Sequence, residues 1–136
     1  MLIIRDLQLT QFALGTRHQF TQRMCITLRE NFPFELQAVD SDNLYKHIEA
    51  QLDRAAAYGF DSERDVCLYL NLAVACGWSF DQSPQNAWMH VMLNDQQVST
   101  PSDRIRRLYD EYCHRCEVEE NNRLLFSQFE GKTSHA

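Results

Sequence analysis

The segment from Val66 to Cys76 constrains the fold most, because it is apolar on nearly every side at helical spacing. Ser62 and Asp65 precede it with the spacing of a capping box, and Gly77 follows it as a stop signal. The segment is shorter than the roughly 18 consecutive apolar residues of a membrane span. A helix that is apolar all round is buried on all sides. The sequence therefore predicts a central helix surrounded by other helices.

Two amphipathic helices are predicted before this segment. The first runs from about residue 5 to residue 30, with Gly15 as a point where it can kink or break. Its apolar residues recur at i, i+4 and i+8: Phe20, Met24, Leu28. The second is predicted to begin at Asp40 or Ser41 and to end at Gly59. Its buried stripe has helical spacing: Leu44, Ile48, Leu52, Ala55.

The C-terminal half of the sequence predicts two or three more helices. A short helix is expected over residues 88–93, after a loop that begins at Gly77. Thr100, Pro101 and Asp103 have the spacing of a helix start. The predicted inner face of that helix is Ile105, Leu108, Tyr109, Tyr112, Cys116. The acidic residues 117–120 can interrupt it or remain helical, and a last short helix is predicted over 124–129.

Composition supports this assignment. The chain has 136 residues, of which 44% are hydrophobic, with only four glycines and three prolines. We therefore predict an all-α fold, a single-domain bundle of about five to six helices over residues 1–130, with a disordered tail over 131–136.

Charge and targeting signals limit the function classes. The formal net charge of -6 argues against a general nucleic-acid binder. The first residues lack the basic start and long apolar stretch of a signal peptide, and no segment has the composition of a membrane span. Five cysteines cannot all pair internally. We expect a cytoplasmic protein that does not bind membranes.

Cys113 and Cys116 form the most suggestive chemical motif, because a C-x-x-C pair can bind zinc or act as a redox dithiol. A second ligand pair is missing, and the two thiols lie in a helical pattern, which favours a structural role. No nucleophile signature accompanies the histidines. We predict no catalytic residues, no metal and no cofactor, with a small metal- or thiol-dependent enzyme as the minority alternative.

Aromatic and basic residues supply the candidates for partner binding. Large aromatic residues in the loop and tail either complete the core or anchor an interface. A strip of arginines on the fifth helix can meet an acidic surface or remain solvated. The candidate residues are Trp78, Phe80, Asp81, Trp88, Arg104, Arg107, Phe126, Phe129.

Several short motifs occur in an order that resembles a set of small helical bacterial proteins encoded beside type VI secretion spike and toxin genes. The corresponding stretches are Ile4–Leu9, Leu28–Pro33, Ala55–Gly59, Asp65–Leu70 and Gly77–Asp81. They match an "I-R-D-x-Q-L" opening, "L-R-E-x-F-P", a helix ending in "A-x-x-Y-G", "D-V-x-x-Y-L" and "G-x-x-F-D". The C-terminal cysteines and the tail with Phe126 and Phe129 depart from the pattern.

The resemblance implies a non-enzymatic accessory role with a protein partner, a secreted toxin or a spike component. Such a protein is an adaptor or chaperone for the toxin, or alternatively an immunity protein that neutralises it. An acidic chain fits either role, because charge complementarity speeds association with a basic partner. The resemblance supplies no catalytic residues.

Overall fold

A computed structural model describes the backbone of residues 14–133 and the side chains of residues 16–128. Over that range the chain is a single all-α domain of five helices without strands, so the predicted fold class is confirmed. The helices are α1 (Leu14–Asn31), α2 (Ser41–Ala57), α3 (Glu63–Cys76), α4 (Ala87–Leu93) and α5 (Pro101–Thr133). Two 3₁₀ turns, Phe80–Gln82 and Pro84–Asn86, connect α3 to α4.

Three predicted helix starts are confirmed by side-chain caps. The Asp40 carboxylate accepts a hydrogen bond from the backbone N–H of Asn43 at 2.7 Å. The Ser62 hydroxyl accepts one from the N–H of Asp65 at 3.1 Å, and Thr100 caps α5 in the same way, also at 3.1 Å. Each cap satisfies an N–H group that the first turn of a helix leaves unpaired.

Gly59 and Gly77 end α2 and α3 as predicted, and both have positive φ angles of 91° and 112°. Residues with a Cβ rarely adopt this conformation. Gly59 is constrained further, because a Cβ atom there would lie 3.0 Å from Cγ of Pro101 at the start of α5. The reversal after α2 therefore requires glycine on two grounds.

The predicted central helix is confirmed, since α3 contacts α1, α2 and α5. Tyr69 lies at its middle, fully buried, with its ring 5.7 Å from that of Phe60 and 5.2 Å from that of Phe80. The stripes predicted for the neighbouring helices are buried against it: Phe20, Met24, Leu28, Leu44, Ile48, Leu52, Ala55, Ile105, Leu108.

Helix α5 runs parallel to α3 and extends beyond it. Ser102 donates a hydrogen bond to the Asp65 carboxylate at 3.2 Å, which aligns the starts of the two helices. From Asp65, α3 has 76 − 65 = 11 residues left before its end at Cys76. The same 11 residues from Ser102 bring α5 to Cys113 (113 − 102 = 11). The 33-residue helix therefore extends 133 − 113 = 20 residues beyond the level at which α3 ends, which is more than half of its length.

This geometry corrects three predictions for the C-terminal region. The separate short helix predicted over 124–129 is wrong, because one helix runs to Thr133, and of the two alternatives for the acidic residues 117–120 the structure shows the helical one. Residues 131–133, assigned to a disordered tail, belong to the helix, while 134–136 lie outside the described residues. Cys116 is exposed, not on the inner face, since the bundle ends before it.

At the N-terminal end, α1 passes through residues 15 and 16 without a break. The remainder of the first predicted helix, residues 5–13, lies outside the described residues. No helix of the described range combines the length and the apolar content needed to cross a bilayer.

Candidate functional site

The loop after α3 is fixed to α2 through the backbone of Trp78. The carbonyl oxygen of Trp78 accepts hydrogen bonds from Gln51 at 2.6 Å and from Arg54 at 3.1 Å. The indole ring of Trp78 stacks on the imidazole of His47, with ring centroids 4.6 Å apart and planes 2° from parallel. Trp78 is therefore half-buried and held by α2, with only part of its surface available to a partner.

Phe80 and Asp81 lie inside the protein. Phe80 packs into the core with no exposed surface, and Asp81 is 2% exposed. The Asp81 carboxylate accepts hydrogen bonds from Arg54 at 3.2 Å and from the hydroxyl of Tyr58 at 2.9 Å. The prediction that these two residues contact a partner is therefore wrong for this structure. The alternative interpretation of Phe80, core packing, is confirmed.

The buried carboxylate changes the protonation of nearby tyrosines. Burial, the hydrogen bond to Asp81 and its negative charge raise the pKa of Tyr58 to about 12. Burial and the Asp81 charge also raise the pKa of Tyr69, whose hydroxyl is buried with no hydrogen-bond partner among the described residues. Both shifts favour neutral hydroxyls around a carboxylate that Arg54 already pairs. The cluster joins α2 to the loop as a structural link.

Trp88 joins α4 to α5. The guanidinium carbon of Arg115 lies 3.8 Å from the centroid of its ring, within the range of a cation–π contact. Arg115 also donates a hydrogen bond to Glu111 one turn earlier at 3.0 Å. One face of the half-buried indole is therefore covered by an exposed arginine. The partner-binding role of Trp88 stays a prediction.

The arginines of the predicted basic strip on α5 differ in exposure and in their partners. Arg104 is half-buried and donates a hydrogen bond to the carbonyl oxygen of Val98, at 3.0 Å, in the loop before the helix. Arg106 pairs with Asp103 at 3.1 Å. Arg107 is exposed and forms no ion pair within the described part of the chain. Of the two candidates in the strip, only Arg107 presents a free charge to solvent.

The largest exposed feature is the part of α5 beyond Arg115, residues 116–133, which we call the arm. Every arm side chain that the structure describes, residues 116–128, is exposed. Four of them are large and apolar, with exposed fractions from 43% to 68%: Val118, Leu124, Leu125, Phe126. Single exposed apolar residues are common on monomeric proteins, whereas neighbouring ones, such as Leu124, Leu125 and Phe126, form the kind of patch that marks a binding site. Phe129, also a candidate, belongs to the helix, but its side chain lies outside the described residues.

The cysteine pair lies where the arm begins. Cys113 and Cys116 are exposed. Burial, the neighbouring Cys116 and the carboxylates of Asp110 and Glu117 raise the pKa of Cys113. A raised pKa disfavours the thiolate, the form that attacks substrates and binds metals. Among the side chains of residues 16–128, no three His, Cys, Asp or Glu residues converge as a metal site.

Two hollows on the bundle surface were not predicted. A groove of about 720 Å³ lies between α1 and α2, where Nδ1 of His18 is 2.5 Å from the Tyr45 hydroxyl and Ile26 is 62% exposed. A hollow of about 370 Å³ lies beside the Asp81 link, next to His90 and Val91. Helical periodicity cannot reveal such grooves, because each forms only when two elements come together.

Comparisons of the chain with protein-family models, with curated proteins and with solved structures find no match.

Proposed function

We propose that this chain is a non-enzymatic, protein-binding accessory, an adaptor or chaperone for a secreted toxin of a type VI-like secretion system, and that the arm is its binding surface. The exposed apolar residues of the arm carry the proposal. Phe126 is 68% exposed on a helix that extends past the bundle, so a partner can reach it without any rearrangement of the core.

The secretion role draws on the order of motifs that resembles proteins encoded beside spike and toxin genes. The raised pKa of Cys113 supports a role other than thiol catalysis, because it keeps the thiol protonated. The arm adds a surface suited to holding another protein. In this proposal the chain binds its toxin or spike component in the cytoplasm before export.

The test is co-expression of the chain with each toxin or spike protein encoded by its neighbouring genes, followed by purification through a tag on the chain. We expect one of them to co-purify in stoichiometric amount. The Leu125→Ser/Phe126→Ser variant should lose it, while Ile26→Ser, a matched change of an exposed apolar residue on α1, should retain it. Equal recovery with both variants would contradict the proposal that the arm binds.

The immunity alternative makes a different prediction for the same complex. An immunity protein blocks the activity of its toxin in a defined assay, whereas an adaptor is required for export. We expect export of the toxin to fail in the Leu125→Ser/Phe126→Ser strain while the producing cells survive. Death of the producing cells with export intact would support the immunity alternative.

A further inference from the structure

Two apolar residues of the arm, Val118 and Leu125, do not continue the face that α5 packs into the bundle, whereas Phe126, about five turns after the buried Leu108, lies on the same side as Leu108. Successive residues of an α-helix are separated by about 100° around its axis. Relative to the buried residue Ile105, Val118 therefore lies about 140° around the helix and Leu125 about 160°. Both are on the side opposite the bundle. Exposed apolar residues therefore occur on more than one side of the arm, including the side that faces away from the described part of the bundle.

The tip of the arm is apolar over a wide arc. Leu124, Leu125 and Phe126 are consecutive and more than half exposed. Three consecutive positions span about 200° of the helix circumference. In a two-helix coiled coil, each helix contacts its partner through one narrow stripe of apolar residues at heptad positions a and d. That stripe recurs over at least three heptads. An arc of this width is covered only by a surface that encloses the helix on more than one side.

About two turns before the tip, the positions on either side of Val118 are acidic. Glu117, Val118 and Glu119 lie seven residues before the three tip residues, on the same three sides and about 10 Å along the axis. Both glutamates are exposed, and neither forms an ion pair with any described residue. Glu120, by contrast, pairs with Arg123 at 2.5 Å. The apolar tip is therefore preceded along the helix by two carboxylates that pair with no described arginine or lysine.

From this arrangement we propose that the arm inserts its tip into an apolar groove between helices of the partner, and that lysine or arginine residues on the groove rim face Glu117 and Glu119. This is recognition of a helix by a groove, with this chain supplying the helix. The inference rests on the proposed function and adds the shape and charge of the partner site. The groove would enclose Leu124, Leu125 and Phe126 on three sides.

The test needs no identified partner. The probe is an amphipathic peptide of leucine and lysine, about 14 residues or four turns long, which associates into helical bundles with apolar grooves and basic rims. Its controls are the same peptide with glutamate for lysine, and a sequence-scrambled version with the same charge. Binding to the full-length chain is measured by fluorescence anisotropy at low and at high salt.

We expect the lysine peptide to bind at least tenfold more tightly than either control at low salt, and to weaken as salt rises. Leu124→Ser, Leu125→Ser and Phe126→Ser should each weaken binding by roughly tenfold, because each removes a buried apolar contact. Glu117→Gln/Glu119→Gln should abolish most of the salt dependence. Val91→Ser, a matched change on the bundle surface, should have no effect.

Several results would overturn this inference. One is equal binding of the scrambled peptide, which would reduce the attraction to net charge. Another is that only one of the three tip substitutions weakens binding while the other two leave it unchanged, which would indicate a flat contact on one side of the helix. A dimer in sedimentation that Leu125→Ser dissociates would assign the arm to a second copy of this chain. Binding to phosphatidylcholine vesicles that Phe126→Ser removes would assign it to a lipid surface.

The outcome separates the two proposals. If the toxin co-purifies through the arm but the glutamate variants bind it as tightly as wild type, the proposed function stands and the basic rim is wrong. If the peptide binds as expected but no neighbouring toxin co-purifies, the groove recognition stands and the secretion role is wrong.

Discussion

The two parts of α5 share one continuous helix but have opposite surroundings. Over residues 101–112, which we call the base, Ile105 and Leu108 are fully buried against α3. In the arm, residues of the same type are exposed: Leu125 is 52% exposed, whereas Leu108 in the base is 0% exposed. The base is held by tertiary packing, whereas the arm depends on local helix propensity, which is weak by itself. The comparison shows that one helix can pack into a core over one part of its length and expose apolar residues over the other.

The same substitution, made once in the base and once in the arm, should have very different effects on stability. Leu108→Ala should lower the free energy of unfolding by about 2–5 kcal/mol, because it opens a cavity in the core. Leu125→Ala should change it by less than about 0.5 kcal/mol, since the side chain is already in water. Urea denaturation of both variants measures the difference. Equal destabilisation would mean that the arm packs against the domain.

The next largest effect is expected at the Asp81 link. Asp81→Ala removes the acceptor of Arg54 and Tyr58 and leaves a guanidinium without its partner, which should cost about 2 kcal/mol. The expected cost is below that of a fully buried pair, because the Arg54 side chain is 29% exposed. Glu119→Ala, on the arm, is the control. A cost for Asp81→Ala no larger than that of the control would show that the link does not hold the loop.

Burial and hydrogen bonding at the same link predict a dependence on pH. The pKa of Tyr58 is raised from about 10 to about 12, so the folded state holds the proton more tightly than the unfolded state does. Its contribution is complete below pH 10 and is lost as the pH rises toward 12. Because the hydroxyl is partly exposed, we expect a loss of about 1 kcal/mol.

Denaturation of wild type and of Tyr58→Phe at several pH values from 8 to about 11.5 isolates this contribution, since the other tyrosines are common to both proteins. Stability should fall more steeply with pH in the wild type than in the variant. Parallel curves would mean that the hydroxyl titrates equally in the folded and unfolded states.

The smallest effect is expected where the base meets the arm. Arg115→Ala removes the cation–π contact with Trp88 and should destabilise the fold by about 0.5–1 kcal/mol. Arg115→Lys should retain part of it, because an ammonium group also interacts with the ring face. Tryptophan fluorescence should report a more exposed indole in the alanine variant. An unchanged emission spectrum would place Arg115 away from the ring in solution.

The features that the sequence predicted correctly are local. The caps at Asp40, Ser62 and Thr100 each bond to an N–H three residues later, so a short sequence window contains the whole interaction. The central position of α3 also follows from one continuous segment, because an all-round apolar helix is stable only in a core.

The features that the sequence missed join distant residues. Asp81 occupies a loop, where its burial depends on Arg54, 27 positions earlier in the chain, and Trp88 meets Arg115 from a different helix. The prediction of a separate helix over 124–129 was wrong for a local reason as well. Residues 102–130 contain neither glycine nor proline, and acidic residues alone do not end a helix.

The central claim is that α5 is anchored at its base, with the arm as its proposed binding surface. It is tested most directly by hydrogen–deuterium exchange of the full chain, alone and in complex with whichever protein co-purifies with it. We predict slow exchange over residues 101–112 in both samples, and fast exchange over 116–128 that becomes slow only in the complex. Exchange over the arm that is slow in the free chain, or that stays fast in the complex, would contradict the claim.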